Sequence, residues 1–348
     1  MEKRETPTRR PRRRTAEGGR RLHSAGAAIV VSAAGLFVAL LLNAPGLHKS
    51  ATIQPEGWKR DVALGVTEPL ESVSGALLLD RPRTALKAAL GRSDDDEVDT
   101  AVAAPQPKPK PATPSSPPKR VKFTPEKKLR LWIAGDSLVV VPGESVLREV
   151  AGNRAVDAAD AIDGRIASGL ERPDVFNWFT HVGEVMEKQK PRAVVLMFGG
   201  NDDHGFMTGI PEGREVGTFG SPTWRAEYRR RVATVMDTVT QNGGYLVWIG
   251  LPLSRDADQT LRFDVINAIV QTEAAERKGR VAYLDTYFFF AGDDGGYAQY
   301  VEDETGKLVK MRADDGVHFE RAAGDLIADK VVERLGERYD FTSWRGRP

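Results

Sequence analysis

The chain has 348 residues, with 50 lysine and arginine and 49 aspartate and glutamate residues, so its formal net charge at pH 7 is only +1. A basic head accounts for this balance: residues 1–22 hold nine basic and three acidic side chains, and the remainder therefore carries about −5. Because that head contains proline and glycine and cannot build a core, nucleic-acid binding by a basic folded face is not expected. The absence of cysteine excludes disulfides, thiolate zinc sites and a cysteine nucleophile.

An uncharged, mostly apolar segment follows the predicted basic tail (1–23) and covers residues 24–47. As a helix it would rise about 36 Å, enough for a bilayer core of about 30 Å, so we predict one transmembrane helix. The arginines before it place the N-terminus in the cytoplasm and the rest of the chain in the periplasm or another extracytoplasmic space. A cleaved signal peptide is the alternative, but the apolar run is long, and Leu42 lies two residues before the best cleavage candidate, Ala44.

Two segments of different composition come next. Residues 48–103 contain apolar side chains at helical spacing and predict a helical stem. Residues 104–122 are rich in proline, lysine, serine and alanine, which favours an extended polyproline II linker. A single catalytic domain is then predicted over 123–340, with a short C-terminal tail over 341–348.

Within the predicted domain, short apolar runs alternate with amphipathic stretches. The predicted strands are Leu129 to Ala134, Ala193 to Phe198, Tyr245 to Gly250 and Val281 to Leu284. The predicted helices are Pro173 to Lys188, Trp224 to Gln241, Leu261 to Arg277 and Glu320 to Leu335. Because the apolar runs are continuous, the strands are expected to be buried on both faces, in a three-layer α/β/α sandwich with a central parallel sheet.

The first candidate for chemistry is Gly135-Asp136-Ser137, directly after the first predicted strand. Active sites of open parallel sheets form at the carboxyl ends of the strands. A glycine at this turn lets the backbone bend sharply, so that Ser137 can present its hydroxyl at the edge of the sheet.

The second candidate is Gly199-Gly200-Asn201-Asp202, directly after the second predicted strand. A carboxamide fixed there can donate to an oxygen that gains negative charge. The same residues also form turns well, so this motif alone leaves both interpretations open. Asp136 and Asp202 are expected to cap or brace their loops.

The third candidate is Asp315-Gly316-Val317-His318, just before the last predicted helix. An aspartate three residues before a histidine can accept the Nδ1 proton of the imidazole and leave Nε2 to take a proton from serine. Asp314 is the competing aspartate, but the three-residue spacing favours Asp315.

These three motifs, in this order, resemble the blocks of the SGNH (GDSL-type) hydrolase family, and the resemblance covers most of residues 131–335. It implies the flavodoxin-like fold of that family. It also implies Ser137 as nucleophile, His318 as base and Asp315 as the residue that orients it. The oxyanion hole of the family is formed by the serine amide, a glycine amide and the asparagine, here Asn201.

The glycine of that oxyanion hole is assigned to Gly169, with Gly164 as the alternative. Two features depart from secreted lipolytic members of the family: Leu-Val-Val-Val follows Ser137, and the loops of the acyl site are not recognisable. The sequence is therefore more similar to a membrane-anchored bacterial branch of the family.

The resemblance predicts a serine esterase that acts through an acyl-serine intermediate on small, acetyl-like esters, with an acylated cell-envelope glycan as a candidate substrate. The alternatives are an O-acyltransferase with the same triad and a catalytically inactive envelope binding module. No cofactor is expected, and the histidines lack the spacing of metal ligands, so no metal site is expected. The sequence does not determine the oligomeric state. Residues 286–312 precede the His318 loop and form either a lid or an insertion that packs its aromatic side chains onto the sheet.

Overall fold

The computed structural model describes residues 25–52, 58–79, 81, 120–158, 161–203, 207–210, 216–303 and 305–341. The predicted tail at 1–23, nearly all of the predicted linker and nearly all of the C-terminal tail lie outside the described residues. The chain divides into two compact units, one of which ends at Arg83 while the other contains the predicted catalytic domain.

The described part of the N-terminal unit includes the helices α1 (Ala25–Leu42), α2 (Ala44–Thr52) and α3 (Trp58–Ala76). Helices α2 and α3 pack together, and His48 on α2 contacts Thr67 and Glu71 on α3. Helix α3 continues through Pro69.

Within the described residues, none of the helices has the length and apolar character needed to cross a membrane. The transmembrane helix predicted over 24–47 is therefore not borne out. Helix α1 stops at Leu42, Asn43 forms a turn and a separate helix begins at Ala44.

The second unit is an α/β domain, which confirms the predicted fold class. Its strands are β1 (Val121–Lys122), β2 (Leu129–Gly135), β3 (Val156–Ala158), β4 (Asp163–Gly164), β5 (Ala193–Met197), β6 (Tyr245–Ile249), β7 (Val281–Leu284), β8 (Tyr300–Glu302), β9 (Leu308–Lys310) and β10 (Tyr339–Asp340). Its helices are α4 (Val140–Val150), α5 (Trp178–Lys188), α6 (Pro222–Gln241), α7 (Ala257–Glu276) and α8 (Arg321–Arg338).

The central sheet is parallel, with the strand order β3-β2-β5-β6-β7, and β4 also pairs with the end of β2. From β2 the chain passes to β3 on one side, whereas β5, β6 and β7 follow one another on the other side. The order therefore reverses between β2 and β5, where Gly135 lies opposite Met197. In open parallel sheets, this switch point is where ligands bind.

Every residue of β5 and β6 is buried, so both faces of the sheet must be covered by helices. Helix α4 packs against α8, and α6 packs against both α5 and α7. Two sets of helices thus enclose the sheet, as the continuous apolar runs predict. The core between them includes three fully buried tryptophans, Trp178, Trp224 and Trp248.

Some boundaries differ from the predicted ones because side chains cap the helices. Helix α5 begins at Trp178 rather than at Pro173, since the Asn177 side chain accepts the amides of Phe179 and Thr180. Helix α4 was not predicted, because Val-Val-Pro-Gly has little helical preference. It is preceded by a 3₁₀ turn over Ser137–Val139, in which the Asp136 side chain accepts the amide of Leu138.

The segment at 286–312 forms part of the support of the His318 loop. Strands β8 and β9 pair as an antiparallel hairpin, and Phe290 is buried against Phe319. Phe288 is exposed, so only part of the predicted aromatic packing is present. The amide of Met311 donates to Gln299 O, and the amide of Glu320 donates to Met311 O.

We predict that Gly135→Ala destabilises the domain by about 2 kcal/mol or more, because the added methyl group would overlap the backbone. Gly135 has φ +153°, and a Cβ built there would lie 2.0 Å from the carbonyl oxygen of Met197. The midpoint of thermal unfolding, followed by circular dichroism, measures the effect.

The matched control is Gly183→Ala on α5, where nothing lies within 4 Å of an added Cβ. That substitution should raise the stability by about 0.5–1 kcal/mol, because alanine favours a helix over glycine. Equal stability of the Gly135→Ala variant and the natural protein would contradict the steric argument.

Candidate active site

Three of the predicted residues form one continuous line of contacts. His318 Nε2 lies 2.7 Å from Ser137 Oγ, and His318 Nδ1 lies 2.7 Å from Asp315 Oδ2. Ser137 and His318 are 181 positions apart in the chain, so only the fold brings them together. The arrangement matches that of a nucleophile, a base and an orienting carboxylate.

Asp315 is held in place by its own turn. Its Oδ1 accepts the amides of Val317 and His318, at 2.8 and 3.0 Å, while Oδ2 faces the imidazole. Partial burial raises the pKa of Asp315, but these two amides and His318 outweigh burial and bring the pKa down to about 2. The carboxylate is therefore ionised at neutral pH although half of its side chain is exposed.

Asp314, the competing aspartate, points elsewhere. Its Oδ1 contacts Lys310 Nζ and Gln299 Nε2, both at 2.9 Å. Its side chain is 88% exposed, and Lys310 holds its pKa below the ordinary value. The structure thus brings Asp315, and not Asp314, to the imidazole.

The turn that carries Ser137 is fixed by the strand next to it. The amide of Asp136 donates to Met197 O at 3.1 Å, which extends the pairing of β2 with β5. Gly135 sits against the same carbonyl group, where no side chain fits. Ser137 then follows at the start of the 3₁₀ turn, half-buried, with its hydroxyl toward His318.

Asp136 braces the turn at Ser137 against the turn at Asn201. Its Oδ1 accepts the amide of Leu138 at 2.8 Å, and its Oδ2 accepts the amides of Gly199 and Gly200 at 2.9 and 2.8 Å. The side chain is fully buried, and this burial raises the pKa of Asp136 to about 7 against the effect of the three amides. The predicted bracing role is therefore present in the structure.

Asp202 braces the loop that contains Gly169 in the same way. Its carboxylate accepts the amides of Leu170 and Glu171 and the hydroxyl of Tyr228, at 3.0, 2.9 and 2.8 Å. Burial raises the pKa of Asp202, against the opposing effect of these donors. A Cβ at Gly169 would lie 2.0 Å from Asp202 Oδ1, so this contact requires glycine.

The predicted oxyanion donors lie on these braced loops. Asn201 Nδ2 donates to Ser168 O at 2.9 Å, which joins the Asn201 turn to the residue before Gly169. Within the described residues, the backbone amides of Ser137 and Gly169 have no hydrogen-bond partner. Gly164, the alternative glycine, instead lies on strand β4 opposite Gly135.

Several supporting residues were missed by the sequence analysis. Ser168 is buried, accepts a hydrogen bond from Trp178 Nε1 and donates to Arg165 O. Arg231, on α6, is fully buried and donates to the carbonyl groups of Leu170, Glu171 and Thr208. An arginine at an otherwise apolar helix position is the only signal for such a role, and it does not reveal the partner.

Among the residues that the structure describes, no group of three or more histidine, cysteine, aspartate or glutamate side chains could hold a metal ion. The contacts above can support nucleophilic attack by Ser137, with the base and its orienting carboxylate in place.

Comparisons with solved structures give similarities at low sequence identity. A GDSL-like lipase from Bacteroides thetaiotaomicron is 14% identical, with 61% of this chain and 90% of that chain covered and a TM-score of 0.40. A catalytic mutant of an acetylxylan esterase from Geobacillus stearothermophilus is 16% identical, with 63% of this chain and 97% of that chain covered and a TM-score of 0.38. A psychrotrophic esterase from Pseudoalteromonas sp. is 11% identical, with 60% of this chain and 98% of that chain covered and a TM-score of 0.39.

No curated protein matches the chain. One family model does, with the description "Protein of unknown function (DUF459)", over residues 130–334. This match spans β2 to α8 and includes Ser137, Gly169, Asn201, Asp315 and His318. Because it covers more than half of the 348 residues, the chain belongs to the DUF459 family.

Proposed function

We propose that the protein is a serine hydrolase of carboxylic esters and that small, acetyl-like acyl groups are its substrates. The observation that carries this proposal is the contact line from Asp315 through His318 to Ser137, with 2.7 Å at each step. The nearby amides of Ser137 and Gly169 and the carboxamide of Asn201 support it, because ester cleavage needs donors for a developing oxyanion.

In the first half of the reaction, Ser137 Oγ attacks the ester carbonyl carbon while His318 Nε2 takes the hydroxyl proton. Asp315 holds the Nδ1 proton and stabilises the imidazolium that forms. The carbonyl oxygen becomes an oxyanion, which accepts hydrogen bonds from the amides of Ser137 and Gly169 and from Asn201 Nδ2. The imidazolium then gives its proton to the leaving alkoxide, and the alcohol departs from an acyl-serine.

In the second half, water attacks the acyl-serine while His318 again takes a proton. Collapse of the second oxyanion releases the carboxylic acid, and the proton returns to Ser137. In acyl transfer, a sugar hydroxyl would replace this water, and every other step would be the same. An acylated envelope glycan is our candidate substrate, and the extracytoplasmic location predicted from the N-terminal sequence stays a prediction.

We predict that a fluorophosphonate probe labels the protein at Ser137, because the neighbouring imidazole activates the hydroxyl. Intact-protein mass spectrometry should show one adduct per chain, and peptide mapping should place it on Ser137. Ser137→Ala should remove the adduct. Labelling that persists in that variant, or that is absent from the folded natural protein, would refute the mechanism.

Incubation with an acyl donor separates hydrolysis from transfer. We test short-chain p-nitrophenyl esters and acetylated polysaccharides with and without a deacetylated glycan acceptor, and we follow acid release and acceptor mass. Acid release alone supports the hydrolase, whereas a mass gain on the acceptor identifies a transferase. Probe labelling without turnover of any ester would contradict the choice of small acyl substrates.

The two adjacent aspartates should differ in their effect on turnover. Asp315→Asn should lower kcat by about 10²-fold or more, because the amide cannot stabilise the imidazolium. Asp314→Asn should leave kcat within about twofold, since its side chain does not contact His318. Equal losses in the two variants would remove Asp315 from its role.

The Asp315→Asn variant should also change how stability depends on pH. The folded pKa of Asp315, about 2, lies below the ordinary 3.8, so its contribution to stability is present above pH 3.8 and is lost as the pH falls toward 2. The difference in unfolding midpoint between the natural protein and Asp315→Asn should therefore narrow over that interval.

A third prediction concerns the oxyanion. Asn201→Ala should reduce kcat by about 10² to 10³-fold with little change in KM, because the donor acts mainly on the charge of the transition state. Steady-state kinetics on a short-chain ester measure both constants. A near-normal kcat would show that Asn201 serves only to bind Ser168 O.

A further inference from the structure

Arg312 is a fully buried cation directly behind the candidate base. Its Nη2 donates to Val317 O at 2.6 Å, and its Nε lies 3.4 Å from His318 O. Its Nη1 donates to Leu253 O at 2.6 Å, in the loop that follows β6. One guanidinium therefore joins the His318 loop to the loop after a central strand of the sheet.

The surroundings of Arg312 differ from those of the other buried arginines. Within the described residues, no carboxylate forms an ion pair with it, whereas Arg231 pairs with Glu227 and Arg277 pairs with Glu273. The rings of Tyr297 and Phe319 lie 5.3 and 5.1 Å from its guanidinium carbon. Burial lowers the pKa of Arg312 to about 10, so the group is still a cation at neutral pH.

A buried charge without a paired opposite charge is a costly way to stabilise a fold. An apolar side chain could fill the same space between the two rings, but it could not hold three carbonyl groups. What the guanidinium adds is rigid geometry, because its donors lie in one plane and in fixed directions. The three acceptors are main-chain groups of the loops that carry or support His318.

Two of the carbonyl groups that Arg312 binds belong to His318 itself and to Val317, the residue before it. His318 O, besides facing Arg312 Nε, accepts the amide of Ala313 at 2.9 Å, which closes the loop on itself. A second link joins the same two loops, since the amide of Arg255 donates to Gly316 O at 3.0 Å. The backbone of His318 is thereby fixed relative to β6. In the sheet, β6 lies two strands away from β2, the strand that Ser137 follows.

We propose that Arg312 is a positioning residue for the base, which holds the His318 loop against the loop after β6 so that the imidazole meets Ser137. This inference rests on the proposed function for its kinetic consequences. Its structural content, the orientation of the His318 ring, is independent of any activity. Arg312 does not contact substrate and takes no part in proton transfer.

The kinetic test uses Arg312→Lys, which keeps the charge but loses the planar set of donors. Fluorophosphonate labelling should still reach one adduct per chain, at a rate lowered by about 10 to 100-fold, because a small misplacement of the base has a large effect. With an ester that the natural protein hydrolyses, kcat should fall by a similar factor while KM stays within about twofold. Arg312→Met, which also removes the charge, should be at least as slow.

The matched control is Arg277→Lys, at the end of α7 remote from Ser137. Arg277 is also buried and makes hydrogen bonds to Asp237 and Glu273. This variant loses the same planar donors and should be less stable in thermal unfolding, but its labelling rate should match that of the natural protein. Equal labelling rates in Arg312→Lys and Arg277→Lys would overturn the proposal.

A spectroscopic readout separates this inference from the proposed function. The chain has five histidines, so the ring nitrogens can be resolved in a ¹⁵N-histidine NMR spectrum, with His318→Gln to assign one set. Arg312→Lys should shift the Nδ1 and Nε2 signals of His318, and Arg277→Lys should not. Unchanged signals overturn the positioning role, whereas a folded natural protein that is never labelled overturns the proposed function alone.

Discussion

The site depends on one buried carboxylate. Asp136 accepts the amide of Leu138 on one side and the amides of Gly199 and Gly200 on the other. The two turns that carry Ser137 and Asn201 leave neighbouring strands, and this side chain makes hydrogen bonds to both of them. Without it, three amides beside Ser137 would lose their acceptor in a largely buried environment, which is unfavourable for any fold.

The same physical device recurs around the site. Asp202 binds the amides beyond Gly169, Arg231 binds the carbonyl groups of that loop, and Arg312 binds those of the His318 loop. Loops at the ends of parallel strands have unpaired backbone groups, and a buried charged side chain can satisfy several of them at once. The consequence is that the backbones of these loops are bound by buried side chains.

The topology explains where these loops meet. The strand order reverses between β2 and β5. In open parallel sheets, ligands bind at such a point. Ser137 and Asn201 follow these two strands directly. His318 lies in the loop before α8, and Asp315, whose carboxylate contacts the imidazole, belongs to the same short turn. One turn therefore positions both side chains.

The sequence by itself determined the parallel α/β class and the order of the three motifs, because continuous apolar runs and Asp-x-x-His spacing are local properties. It also indicated that Asp315 rather than Asp314 would orient His318, since the turn geometry spans only a few residues. Tertiary structure alone decided that Arg231 and Arg312 support the site and that Gly169 packs on Asp202. These outcomes depend on contacts between residues far apart in the chain, and no local pattern encodes the identity of a distant partner.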